Sequence, residues 1–283
     1  MGKITVITDT DSSLPAGLAA AHHISLVPIL VTFGEETFRT GIDIDDERAF
    51  ERIDRQRKLP TTAAPSPGQF AEAYQAAFEA GADQVICLCV SSKVSGTYGA
   101  AVNACELLPG SDISVIDTMS ISMSQGFLAL QAAEMAAAGA SKGEILAAID
   151  EMQARTHLFA ALATLRYLAM SGRVGHLAAG MANLLNIRPI LTMRDGKLEM
   201  IEKIRTQSKC WTRTIELAAA ASGGKLERVA ISHVNAPEEA RQFEQQLRAV
   251  IPCPQEIIIA ELTPGLSTHT GTGMVGISFI AGR

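Results

Sequence analysis

Aromatic side chains are scarce, only 5% of the chain. Ala, Leu, Ile and Val must therefore carry the packing. Charge is also thin at 19%, against 47% hydrophobic residues, which excludes a disordered chain. Lys and Arg form no cluster, and the net charge is −6. The footprint that nucleic acid requires is therefore missing, and anionic membrane surfaces are disfavoured. No apolar run is long enough to span a bilayer: the best candidate, HLFAALATLRYLAM, is short and broken by Arg166. The opening MGKITVITDT lacks the parts of a signal peptide, so a cytoplasmic location is expected. Five cysteines include no C-x-x-C pair, which suggests neither a zinc site nor a redox motif. Cys87 and Cys89 alternate with apolar residues in VICLCV and read as small buried side chains.

Two nucleotide and hydrolase signatures are missing as well. There is no G-x-x-x-x-G-K-[ST] and no G-x-S-x-G, so neither a P-loop nor a nucleophile elbow is expected.

What is present is an alternation of strand and helix. KITVIT (3–8) and HISLVPILVTF (23–33) read as strand regions, and GIDIDDERAFERI turns into a helix. Ser66, Pro67 and Gln69 spell a capped helix start, followed by Phe70, Ala73, Tyr74, Ala77 and Phe78 at helical spacing. VICLCV (85–90) is a continuous apolar strand of the kind a parallel sheet buries. A helix over 97–108, strand 113–117, and Ala-rich helices through the 120s–130s and 141–155 complete a βαβ rhythm.

Beyond about residue 155 the pattern changes. Asp195-Gly196 stands between two extended runs and predicts a hairpin. Helix 206–222, strand RVAISHV, helix 237–249 and strand QEIIIAEL follow. With 283 residues, two domains are expected: 1–154 with a mostly parallel sheet and 155–283 with a mixed one.

Ligands of open α/β sheets gather beyond the carboxyl ends of strands. That rule selects DTDSS (9–13), SSKVSGT (91–97), DTMSIS (117–122) and THTGTGMVG (268–276), joined by PTTAAPSPG (60–68). These loops are rich in Ser, Thr and Gly and poor in acid–base groups. Hydroxyls and free amides at helix starts suit an anion. Each candidate also has a plainer reading. Ser95 can cap the helix near Thr97, Thr62 can be a turn residue, His269 a structural histidine and Arg173 a solvated charge. A rival reading makes ITVITDTDSS a magnesium-dependent phosphatase motif with Asp9 as nucleophile and Asp11 as acid/base, but no downstream lysine and acidic metal-site pattern accompanies it.

VITDTDSSL, PTTAAPSPGQF, SSKVSGTY, VIDTMSIS, LRYLAMSGRVG, IRPILTMRDGKLEMIEKIRT and THTGTGMVGI, taken in order, resemble the DegV family of bacterial fatty-acid-binding proteins. TDTDSS and Thr272 depart from the usual pattern but not at the expected contacts. The resemblance implies two α/β domains with one long-chain fatty acid, such as palmitate, stearate or oleate, in a cleft between them. It implies a carboxylate held by Thr62, Ser95 with the Gly96 amide, and His269, with Arg173 near the head group or a partner. It also implies a carrier without a cofactor, serving a separate ATP-dependent fatty acid kinase subunit that makes the acyl phosphate. A monomer is the default expectation.

Overall fold

The computed structural model describes residues 2–171 and 187–283. The first half runs β1 (Ile4–Asp9), α1 (Ala16–Ala21), β2 (Ser25–Val27), β3 (Leu30–Phe33), β4 (Glu36–Arg39), α2 (Asp46–Gln56), β5 (Thr61–Ala63), α3 (Pro67–Glu79), β6 (Gln84–Cys89), α4 (Thr97–Cys105), β7 (Ile113–Asp117), α5 (Ser122–Ala137) and α6 (Lys142–Gln153). The second half, among the described residues, runs β8 (Thr156–Ala161), α7 (Arg166–Met170), β9 (Arg188–Arg194), β10 (Lys197–Ile204), α8 (Gln207–Ser222), β11 (Leu226–His233), α9 (Pro237–Val250), β12 (Ile258–Glu261), α10 (Pro264–Thr270) and β13 (Val275–Ala281).

Strands β2-β1-β6-β7 make a four-stranded parallel sheet. Its central strands are apolar on both faces because helices cover both; Val85 to Val90 are completely buried. The second sheet, β10-β9-β8-β13-β11-β12, is mixed: β11 and β12 are parallel and the other pairs antiparallel. No helix among the described residues is long and apolar enough to cross a membrane. HLFAALATLRYLAM instead divides into β8 and α7.

HISLVPILVTF is not one strand region of one sheet. Pro28 has no N–H for a ladder, and the chain breaks there. β2 stays in the parallel sheet, whereas β3 pairs with β4 and β5 in a separate three-stranded antiparallel sheet. Sequence reading did not anticipate that sheet, because its strands are only three or four residues long.

Helix α5 joins the two halves. It is buried without interruption from Ser122 to Leu130, and the polar side chains of that stretch are hydrogen-bonded. Phe127, Leu128 and Ala132 share a core with Val6 and Leu88 of the parallel sheet and with Ala230 and Ile280 of the mixed one. Ser124 Oγ donates to the His157 carbonyl at 3.1 Å, and Arg228 pairs with Glu134.

Two local details also shape the region between the sheets. At the β9–β10 hairpin Asp195 and Gly196 both have positive φ, 49° and 76°, as a type I′ turn demands. The turn is docked: Ser91 Oγ donates to the Gly196 carbonyl at 2.7 Å. A Cβ on Gly196 would lie 2.7 Å from that hydroxyl oxygen and 2.8 Å from Met119 Cε. At the start of α2, Asp46 is buried and accepts a 2.5 Å bond from Ser267 Oγ of α10. Burial, with smaller contributions from nearby Glu261 and Asp45, pushes the Asp46 carboxyl up to about 8.

Two outcomes are expected. Gly196→Ala should lower unfolding free energy by about 1–3 kcal/mol, because it combines a strained φ with a clash; urea denaturation measures it. Asp46 holds its proton in the folded state but not in the unfolded chain over most of the range between pH 4 and about 8. Its contribution is therefore complete at low pH and declines as pH rises towards 8, by roughly 1 kcal/mol per pH unit. Asp46→Asn should remove that slope from unfolding free energies measured at pH 5, 6.5 and 8. An unchanged slope in the variant would show that Asp46 is not its source.

Candidate functional site

The polar centre of the molecule begins at the carboxyl end of β1. Asp9 is completely buried. Its Oδ1 accepts from the Asp11 amide at 2.9 Å, closing a short turn. Its Oδ2 accepts from the Val90 amide at 2.8 Å and from Gln125 Nε2 at 3.0 Å. Burial pushes the carboxyl up to about 6 while these N–H donors pull it back down. Both oxygens are thus engaged by the protein itself. A phosphatase nucleophile would need one of them aimed at substrate; Asp9 instead ties the loops after β1 and β6 to α5.

Helix α10 docks on the loop after β1. Thr263 Oγ1 donates to the Thr10 carbonyl at 2.9 Å. Gly265 allows the close approach, since a Cβ there would stand 2.3 Å from Asp11 Oδ1. His269 lies in the last turn of α10, rather than in the Gly-rich loop where the sequence placed it. Thr62 lies on β5, the strand of the small sheet, rather than in a rigid loop. Across this junction Thr62 Oγ1 and His269 Nε2 stand 3.2 Å apart, joining residues 207 positions distant in sequence.

Ser95 occupies the loop between β6 and α4. Its Oγ is 2.8 Å from Thr97 Oγ1 and accepts from the Thr97 amide at 3.3 Å. It therefore does bind the first turn of α4, as its plainer reading holds, although the N-cap position is Gly96. Gly96 has φ −76°, a conformation open to any residue. Its hydrogen side chain leaves space instead.

Thr62, Ser95, Gly96 and His269 line one cavity of about 470 Å³ between the two sheets. That volume falls within the ~300–1,000 Å³ typical of small-molecule pockets. Its remaining walls are largely apolar: Leu158 and Phe159 from β8, Leu191 from β9, Leu198 from β10, and Met274 and Ile277 near and on β13. Arg173 lies outside the described residues. The sequence reading selected the loop that ends at Ser122 but missed the strand serines of the cavity. Ser122 and Ser232 lie 3.2 Å apart, Oγ to Oγ, from α5 and β11, and Ser278 joins them. It also missed the Asp46–Ser267 pair that seats α10. Only the register of β11 and β13 reveals which serines face inward, so a lone strand segment could not have shown them.

The arrangement is amphiphilic. Thr62, Ser95 and His269 share the cavity with Leu158, Leu191 and Leu198 and with Ser122, Ser232 and Ser278. The cavity therefore sets hydrogen-bonding groups beside apolar surface.

Comparison with known proteins gives a consistent picture. A family model described as "Uncharacterised protein, DegV family" matches residues 3–282. A DegV domain-containing protein of Streptomyces coelicolor is 34% identical over 274 residues, covering 97% of each chain. The crystal structure of DegV from Bacillus subtilis, described as a fatty acid binding protein, superposes with a TM-score of 0.90 at 30% identity, covering 100% of both chains. A Thermus thermophilus DegV family protein, whose description concerns its fatty acid binding, gives a TM-score of 0.89 at 30% identity over 99% of each chain. With the family match spanning nearly every residue, this chain belongs to the DegV family.

Proposed function

We propose that this protein binds one long-chain fatty acid in the cavity between its sheets and acts as a carrier rather than a catalyst. The observation that carries the reading is the shape and chemistry of that cavity. Thr62 and His269 stand 3.2 Å apart in it, and its lining is largely apolar. Similarity to solved DegV proteins described as fatty-acid-binding supports it.

The energetics fit such a ligand. Burying about fifteen methylenes is worth roughly 12 kcal/mol gross at ~0.8 kcal/mol each, before ordering costs. A carboxylate inside a protein needs partners, and each hydrogen bond to a charge returns about 1.5–3 kcal/mol. Thr62, Ser95, the Gly96 amide and His269 would supply those bonds, and tail burial would supply affinity. Arg173 keeps the role that family resemblance implies, near the head group or a partner. The same resemblance supports a separate ATP-dependent kinase as the recipient. There the presented carboxylate oxygen would attack the γ-phosphorus of ATP, forming an acyl phosphate and releasing ADP. On this reading the carrier needs no cofactor and can work as a monomer.

Denaturing extraction of the purified protein, followed by mass spectrometry, should recover fatty acid from the expression host at up to one per chain. A lipid-free preparation that also takes up neither palmitate nor oleate would contradict the carrier reading.

The head-group assignment has its own test. Thr62→Ala, Ser95→Ala and His269→Ala should each weaken fatty-acid binding by about 1–3 kcal/mol. Thr62→Ala/His269→Ala should be non-additive, because the two side chains are in contact. Ser95→Ala should in addition lose up to ~1 kcal/mol of stability, since its oxygen also serves the Thr97 amide. Titration with a fluorescent fatty acid, beside urea denaturation of the lipid-free forms, separates the two effects. Wild-type affinity in all three variants would place the head group elsewhere.

A further inference from the structure

Two lysines reach the cavity from opposite halves of the chain. Lys93 sits on the loop after β6, and Lys197 opens β10 directly after the hairpin turn. Both line the same cavity as Thr62, Ser95 and His269. The backbone fixes them near one another. The bond from Ser91 to the Gly196 carbonyl holds the turn against Lys93's loop, and a Cβ on Gly196 would stand 3.0 Å from Lys93 Cγ. Both lysines nevertheless remain exposed to solvent.

Their charge is not spent internally. The chain is acidic overall at −6, so partners are plentiful, yet no ion pair among the described residues uses either lysine. Residues 172–186 contain no Asp or Glu and cannot supply one. Among the described cavity-lining residues the sole carboxylate is Asp11, which is buried in the loop after β1. Two exposed cations therefore line a cavity whose one described carboxylate is buried.

We infer that Lys93 and Lys197 form a cationic mouth that selects amphiphiles with an anionic head group and speeds their capture. The role is separate from the hydrogen bonding of Thr62, Ser95 and His269, and it rests on the fatty-acid reading above. At high salt exposed ammonium groups add little to binding, because counter-ions screen them; at low salt faster capture with unchanged release tightens binding by the same factor. Their field still acts on an approaching anion before any contact forms, and such steering raises association rates roughly 10- to 1,000-fold in charged clefts. A neutral amphiphile with the same tail gains nothing from it. The Ser91–Gly196 clasp makes the arrangement possible, because it holds the turn before Lys197 against the loop that carries Lys93.

The test is stopped-flow association of delipidated protein with a fluorescent sixteen-carbon acid and with the matching alcohol. Wild type, Lys93→Gln, Lys197→Gln and the double variant are compared at low and at high salt. At low ionic strength the double variant should capture the acid about tenfold more slowly than wild type. The difference should vanish near ~1 M salt, where screening acts within ~3 Å. Capture of the alcohol, and dissociation of both probes, should change little. Wild-type capture of the acid by the double variant at low salt would overturn the inference. So would equal slowing of acid and alcohol, which would mean the lysines merely shape the opening. If wild type binds neither probe, the fatty-acid reading itself falls. If it binds the acid at a rate indifferent to salt, the carrier reading stands and only the mouth is lost.

Discussion

The buried carboxylate of Asp9 is the constraint on which the site depends. A carboxyl group at the end of a central parallel strand has no water to solvate it, and burial opposes its ionisation. It is tolerated because three N–H donors converge on it, from Asp11, Val90 and Gln125. Those donors belong to the loop after β1, the end of β6 and helix α5. Satisfying one buried group therefore fixes three segments at once. The loop after β1 in turn receives α10, and the loop after β6 leads on to Lys93, Ser95 and Gly96.

The cavity is then a consequence of how two sheets share one helix. Helix α5 is buried against both, and the cavity beside it is lined from β8, β9, β13, β5 and α10. The wall is made of aliphatic residues, with Phe159 a rare aromatic contribution. This follows from a composition so poor in aromatic rings, and it suits a flexible hydrocarbon better than a planar ligand. The polar end combines weak groups: hydroxyls, amides and one histidine. Such groups can each donate a hydrogen bond to a ligand. The buried carboxyls with raised affinity for protons, Asp9 and Asp46, are occupied in holding elements together.

Much of this was legible in the residues themselves. The capping box at Ser66 and Gln69 forms as its spacing predicts, the Asp195-Gly196 turn has the dihedral angles its residues favour, and VICLCV is the fully buried strand its apolar run implies. These are local properties: a cap, a turn and a strand each depend on neighbours a few positions away. The order of strands and helices, and with it the α/β class, follows from the same short-range periodicities. The resemblance of seven ordered segments supplied the family, and loops of Ser, Thr and Gly marked the region of the site.

What the sequence could not determine was which distant groups meet. The placement of Thr62 on a strand of a third sheet depends on Pro28 breaking the run before it, and on β3 and β5 pairing across some thirty residues. The position of His269 on α10 depends on Gly265 admitting the loop after β1, and on Ser267 bonding the buried Asp46. The contact between Thr62 and His269, the inward register of Ser232 and Ser278, and the docking of the Gly196 turn on Ser91 are products of long-range packing. A side chain's chemistry is written at its own position, but its partners are set by the close-packed core, where shape and buried polar satisfaction across the whole chain decide which surfaces can come together.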